Sequence, residues 1–97
     1  MAQRPLTIVR NALFAQFSGL WDSAAKARQA IKDATYKGSE DPGGWAPTAA
    51  VVIHTESGIP SPLYDAMTLW DTVNDDLMDA GMHYEPHNGA IVSVWVD

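Results

Sequence analysis

The feature that most constrains the fold is the dipeptide Asn88-Gly89, which lies between two β-like runs, residues 82–87 and 90–96. Asn-Gly is the strongest short-range signal for a two-residue hairpin loop of type I′, in which both loop residues have positive φ. Such a loop fixes the register and pairs Glu85 with Val92. The chain is therefore predicted to end in an antiparallel β-hairpin.

Two helices are predicted before residue 38. Apolar residues recur at helical spacing over residues 6–17, although an N-terminal strand is a second interpretation of this segment. A second helix is predicted from a cap at Asp22 or Ser23 to about residue 37, and Gly38 supplies its C-terminal stop. The small residues on its inner face predict close packing.

A loop, a strand and a longer helix are predicted next. Residues 39–47 contain two prolines and two glycines, and Trp45 in this loop is predicted to anchor on the core. Residues 49–55 are rich in β-branched side chains and predict a strand. Ser61 as N-cap and Pro62 at the first position predict the start of a helix that ends at Gly81. Its predicted buried stripe is Leu63, Met67, Trp70, Val73, Leu77 and Ala80.

These elements predict a single α+β domain over residues 1–97, in the order α-α-β-α-β-β. A βαβ crossover followed by a hairpin gives a three-stranded sheet in the order first, third, second, with the hairpin packed on the helices. Pro86 has no N–H to donate, so its strand is predicted to lie at an edge. The face toward the helices is predicted to carry Met82, Tyr84, Ile91, Trp95, Val51 and Ile53. The opposite face is predicted to carry His83, Glu85, His87, Val92, Val94, Val96, Val52, His54 and Glu56.

Histidine and glutamate on that opposite face raise the question of a metal site. Imidazole and carboxylate groups are adequate zinc or iron ligands. His83 and His87, however, would lie about 13 Å apart on a regular strand, too far to share one ion. The chain also has no cysteine, no HExxH spacing, no GxSxG and no phosphate-binding loop. We expect no metal, no cofactor and no enzymatic activity.

The charge distribution is strongly asymmetric. Residues 1–38 contain all six lysines and arginines and only two acidic residues, whereas residues 39–97 contain ten acidic residues and no lysine or arginine. A small domain with strong negative potential docks readily on basic surfaces, including those built for nucleic acid. We therefore expect a protein partner with a basic surface and no membrane contact. The predicted contact residues are Asp65, Asp71, Asp75, Asp76 and Asp79 on the last helix, with Glu56, Glu85 and His83 on the sheet.

The sequence thus predicts a small acidic protein-binding module, expected in the cytoplasm, that inhibits a nucleic-acid-handling protein stoichiometrically. In size, acidity and lack of catalytic motifs the chain resembles small phage-borne inhibitors of host defence, such as anti-CRISPR proteins. The resemblance is one of character rather than of motif, and it implies action in the host cytoplasm if the protein is phage-encoded.

Two alternative functions are also compatible with the sequence. Trp45, Tyr84 and the histidines could bind a small molecule or nucleotide. The second helix could bind DNA as a regulator, because residues 15–20 resemble the centre of a helix-turn-helix and Lys26, Arg28 and Lys32 could contact phosphates. Direct DNA binding is disfavoured by the acidic remainder of the chain, which would be repelled by DNA.

Overall fold

The computed structural model describes residues 4–63 and 67–97. Over these residues the chain forms three α-helices and four β-strands, with short 3-10 turns at residues 18–20, 38–40 and 55–57. The predicted α+β class is confirmed, and the first segment is a helix rather than a strand. The elements are α1 (Pro5–Phe17), α2 (Ala24–Ala34), β1 (Thr35–Tyr36), β2 (Val51–His54), α3 (Met67–Asp79), β3 (Met82–Pro86) and β4 (Ile91–Val96).

All neighbouring strands are antiparallel, and the sheet order is β1-β2-β4-β3. The prediction of a three-stranded sheet is therefore wrong in strand number and in full order. The three predicted strands keep their relative positions, with β3 at an edge, and β1 is added beside β2. β1 directly follows α2 and has only two residues, which is too short to show the alternation that marks a strand in sequence.

The hairpin loop is not the predicted type I′ turn. Neither Asn88 nor Gly89 has a positive φ. The side-chain carbonyl of Asn88 accepts the amides of Ala90 and Ile91 at 2.8 and 2.9 Å. The Ile91 carbonyl accepts the His87 amide at 2.8 Å. Residues 88–90 thus form a three-residue loop, because a side-chain acceptor replaces the backbone turn that the dipeptide favours.

The extra loop residue shifts the hairpin register by one position, and Glu85 pairs with Ser93 rather than with Val92. A one-residue shift exchanges the two faces of a strand. The predicted faces of β2 and β3 are observed, whereas those of β4 are exchanged. Val92 and Val94 pack in the core with the helices, and Ile91 and Trp95 lie on the opposite face.

The main core lies between one face of the sheet and the helices α1 and α3. Trp70 is fully buried, and its ring centroid lies 5.9 Å from that of Phe17 and 5.2 Å from that of Tyr84. Its Nε1–H donates to the Pro60 carbonyl at 2.7 Å, so its polar atom is satisfied. Burial of large apolar side chains contributes roughly 1.5–3 kcal/mol each. The core also includes Val9, Leu13, Ile31, Val51, Ile53, Val73, Leu77 and Met82.

Helix α2 begins where the sequence predicts and ends three residues early. The Ser23 hydroxyl accepts the Lys26 amide at 3.2 Å and caps the helix. After Ala34 the backbone becomes extended at Thr35, with φ −125° and ψ 135°. The Arg10 guanidinium of α1 holds this end, since its Nε donates to the Thr35 hydroxyl at 2.8 Å. The end of α2 thus coincides with a hydrogen bond from α1. The prediction that Gly38 ends this helix is wrong.

The predicted start of the long helix at Ser61 is not observed. Residues 62 and 63 lie in a turn, and the Leu63 amide donates to the Ser61 hydroxyl at 3.2 Å. Leu63 and Ala80, both predicted in the buried stripe, are exposed. The predicted glycine stop at the other end is confirmed, because Gly81 follows α3 with φ +77°.

A smaller apolar cluster lies on the other face of the sheet. Ala46 and Ala49, in the segment before β2, pack there on Val52 and Ile91. Gly38 allows this segment to approach closely, because a Cβ at that position would lie 2.2 Å from the Ala49 carbonyl oxygen. The cluster covers only part of the face, and polar side chains occupy the rest. None of the helices in the described residues is long and apolar enough to cross a membrane.

Candidate functional site

The outward face of α3 carries a row of aspartates, called the acidic face below. These residues lie opposite the buried Trp70, Val73 and Leu77, and all are exposed. Spacings of three and four residues place them on neighbouring turns of one helix side. Asp65, which was predicted to belong to the same surface, lies outside the described residues. The acidic face consists of Asp71, Asp75, Asp76 and Asp79.

The acidic face has no internal countercharge. Within the described part of the chain, no lysine or arginine lies within 4.0 Å of these carboxylates, and the one Lys–Asp pair joins Lys26 to Asp22. At 3.6 residues per turn, Leu69 and Met78 border the row on its two sides. Their side chains are 44% and 59% exposed. The helix therefore presents unpaired negative charge beside exposed apolar area.

His83 interacts with two carboxylates at the end of the hairpin that lies away from its loop. Its Nδ1 hydrogen-bonds Asp97, and its Nε2 lies 3.5 Å from a carboxylate oxygen of Glu85. The hydrogen bond that His83 donates to Asp97 raises the pKa of His83 most strongly, burial opposes the rise, and the charges of both carboxylates add to it. His83 therefore ties Asp97 to β3 when it is protonated.

His87 and Ser93 form a pair that could suggest a nucleophile, with Nε2 and Oγ 2.9 Å apart. The Ser93 hydroxyl also donates to the Glu85 carbonyl at 3.2 Å and accepts the Trp95 Nε1–H at 2.8 Å. A hydroxyl has one proton and two lone pairs, so these three bonds saturate it. Ser93 is also fully buried. The pair is a structural network rather than a catalytic dyad.

A second histidine pair joins the loop before β2 to the sheet. His54 Nε2 lies 2.6 Å from Asp41 Oδ1, and the Asp41 side chain is fully buried. The Asp41 carboxylate also accepts the amides of Gly43 and Trp45 at 3.3 and 3.2 Å. Burial raises the pKa of Asp41, but His54 and the two amides outweigh it and leave the pKa below its ordinary value. Tyr36 packs edge-on against the imidazole at 5.4 Å between centroids.

An open cleft of about 630 Å³ lies between this loop and the hairpin loop. Trp45 forms one wall and is 50% exposed, so the prediction that it anchors on the core is wrong. The Asp41 carboxylate accepts the backbone amides of Gly43 and Trp45 in this loop. Ala46, rather than Trp45, packs on the sheet. The cleft is lined by Trp45, His54, Glu56, Asn88, Gly89, Ala90 and Ile91.

The five His and Glu residues predicted to share one face do not form one site. His54 and Glu56 line the cleft, whereas the other three belong to the two networks described above. Glu56 lies in the 3-10 turn after β2 rather than in the strand. Among the described residues, no group of three His, Asp or Glu side chains could hold a metal ion. The expectation of no bound metal stays a prediction.

The basic residues of the alternative DNA-binding surface are partly engaged within the fold. The Arg28 guanidinium lies 4.0 Å from the centroid of the Phe14 ring, as in a cation–π contact. Lys26 lies 3.5 Å from Asp22, although both side chains are exposed. Lys32 is exposed.

The sequence analysis missed Asp41 as a site residue. Its position before Pro42 and two glycines is typical of a side chain that accepts amides in a following turn. That local signal would predict its bonds to Gly43 and Trp45, but not its bond to His54, 13 residues later.

The chain matches no protein-family model, and no curated protein and no solved structure is significantly similar to it.

Proposed function

We propose that the protein is a stoichiometric, non-catalytic binding module that docks through the acidic face of α3 on a basic protein surface. Its proposed target is a nucleic-acid-handling protein, which it inhibits by occupying the surface that binds nucleic acid. The observation that carries the proposal is the set of four exposed aspartates that have no countercharge in residues 4–63 and 67–97, bordered by two exposed apolar side chains.

The combination of charge and apolar area on this face supports contact with a protein partner rather than exposure to solvent only. Complementary charge accelerates association and selects basic partners, but it adds little affinity unless water is excluded. Leu69 and Met78 provide apolar area at the borders of the row, and methionine is enriched at protein interfaces.

The proposal concerns α3 and not the other predicted contact residues. Glu56, Glu85 and His83 lie on or beyond the opposite face of the sheet, away from the helix layer. One partner surface would not contact α3 and these residues together. They are therefore left out of the proposed docking surface.

The test compares proteins captured from a nuclease-treated lysate by the parent chain and by Asp75→Lys with Asp76→Lys. The matched control is Asp33→Lys with Glu40→Lys, which makes the same change in net charge at exposed residues outside α3. We expect a partner that binds one to one to parent and control and at least about 100-fold more weakly to the α3 variant, because charge reversal at an interface costs several kcal/mol.

Salt dependence with the purified partner completes the test. Affinity for the parent should fall as salt rises, since exposed charges are screened over about 8–10 Å. A folded α3 variant with the affinity and salt dependence of the parent would disprove docking through the acidic face. Equal losses in the variant and the control would show that net charge alone matters.

A further inference from the structure

The cleft beside Trp45 has features of a ligand site separate from the acidic face. It lies between residues 41–45, the end of β2 and the hairpin loop, and none of its lining residues belongs to α3. The indole of Trp45 lies directly over Gly43, where an added Cβ would be 2.7 Å from the ring. The glycine therefore sets the position of a half-exposed aromatic wall.

Two side chains at the cleft, His54 and Glu56, can act as hydrogen-bond acceptors. Asp41 is an acceptor when ionised, so His54 Nε2 carries the proton that lies between them. In the tautomer that carries its proton on Nε2 alone, Nδ1 of His54 is an acceptor, and it has no hydrogen-bond partner among the described residues. Glu56 is exposed and adds a carboxylate at the same cleft. The site thus offers an aromatic face with acceptors from two side chains.

The charge around the cleft disfavours an anionic ligand. No lysine or arginine lines it, and every lysine and arginine of the chain precedes residue 39. A phosphate or carboxylate would meet Glu56 without a compensating cation. A cation with several N–H donors would instead find a carboxylate at Glu56 and an acceptor nitrogen at His54.

We propose that the cleft binds a guanidinium group, with its plane stacked on Trp45 and its N–H groups donating to Glu56 and to Nδ1 of His54. A guanidinium is planar, weakly hydrated and rich in donors, and it stacks on aromatic rings and pairs with carboxylates. A lysine ammonium matches the charge but lacks the plane and the fork of donors. The group can belong to a free guanidinium compound or to an arginine side chain of a peptide.

The test uses the whole protein labelled with nitrogen-15 and follows amide chemical shifts during titration. The probes are a capped Gly-Arg-Gly peptide, the same peptide with citrulline, the same peptide with lysine, and agmatine. Citrulline keeps the shape of arginine but replaces the charged guanidinium by a neutral urea. We expect shifts at residues 43–56 and 88–91 with the arginine peptide, weaker shifts with lysine, and none with citrulline.

Variants identify the groups that bind. Glu56→Gln and Trp45→Ala should each weaken binding of the arginine peptide by about threefold to tenfold, as exposed ion pairs and cation–π contacts do. Gly43→Ala should also weaken it, because the indole must move. Glu85→Gln, an exposed glutamate away from the cleft, is the matched control and should bind as the parent does.

The outcomes separate this proposal from docking through α3. Agmatine binding as tightly as the peptide would favour a free compound, and tighter peptide binding would favour a protein side chain. Equal shifts with arginine and citrulline, unchanged affinity in Glu56→Gln, or shifts confined to α3 would each overturn the proposal. Asp75→Lys with Asp76→Lys should leave the cleft titration unchanged, whichever way the docking test ends.

Discussion

The polar side chains on the acidic face of α3 and those on the outer face of the sheet differ in whether they have partners within the fold. The aspartates of α3 make no ion pair with a cation of the described chain. On the sheet, Asp41, His54, His87 and Ser93 all have side-chain hydrogen-bond partners, and the hydroxyl of Ser93 is saturated. The first set leaves its charge available to a partner, while the second holds a loop and a hairpin in place. Substitutions should therefore affect folding on the sheet and leave it nearly unchanged on α3.

The largest effect on stability is expected for Asp41→Ala. It removes a buried carboxylate that accepts from two amides and from His54, and it leaves those donors without their partner. The free energy of unfolding, measured with urea, should fall by about 3 kcal/mol. Asp33→Ala is the control, since Asp33 is exposed and accepts only from the Gln29 side chain. Similar losses in both variants would mean that Asp41 does not organise the loop.

The same carboxylate should make the protein less stable in acid. The pKa of Asp41 is lowered from its ordinary value of 3.8 in the folded protein. Its stabilisation is therefore fully present above pH 3.8 and is lost as the pH falls through the lower folded pKa. Urea unfolding from pH 5 to pH 2 should show a steeper loss for the parent than for Asp41→Asn. Parallel curves for the two proteins would contradict the prediction.

Ser93→Ala should have the next largest effect. The hydroxyl joins His87, Trp95 and the Glu85 carbonyl across the hairpin, and it is fully buried. Its removal leaves the Glu85 carbonyl, the indole N–H and His87 Nε2 without this partner, so we expect a loss of about 1–3 kcal/mol in unfolding free energy. Thr72→Ala, an exposed hydroxyl on α3, should change stability very little. A neutral Ser93→Ala variant would show that water replaces the hydroxyl.

On the acidic face, Asp75→Ala with Asp76→Ala should change the unfolding free energy by less than about 0.5 kcal/mol for each residue. The change should favour the folded state, because alanine is a better helix former and the negative end of the helix dipole disfavours aspartate in the second half of a helix. Thermal and urea unfolding would measure this. A clear loss of stability would reveal an internal role for these carboxylates and would weaken the contrast with the sheet.

The smallest effect on stability is expected for the pairs that His83 makes. Its pKa is raised from the ordinary 6.5, first by its hydrogen bond to Asp97 and less by its other partners, so its stabilisation is present below pH 6.5 and is lost as pH rises through the folded pKa. NMR titration of the imidazole should give a pKa above 6.5, and Asp97→Asn should lower it. An unchanged pKa in Asp97→Asn would show that the pair does not persist in solution.

Much of the local structure could be predicted because it depends on neighbouring residues. Helical spacing located α1, the Ser23 side chain marked the start of α2, and Gly81 marked the end of α3. The exposure of Asp71, Asp75, Asp76 and Asp79 followed from their position opposite the apolar stripe. Pro86 correctly placed β3 at an edge, because proline has no N–H to donate to a neighbouring strand.

The α+β class, the faces of β2 and β3, and the separation of charge along the chain were thus predictable from the residues alone. The hairpin register, the two-residue strand β1 and the exposure of Trp45 emerged only in the folded chain. Each of these three features depends on groups that meet only after folding. The Asn88 side chain accepts an amide of its own loop, and Arg10 of α1 donates to Thr35 at the end of α2, where β1 begins. Asp41 binds His54 and also accepts the amide of Trp45, whose side chain forms a wall of the cleft.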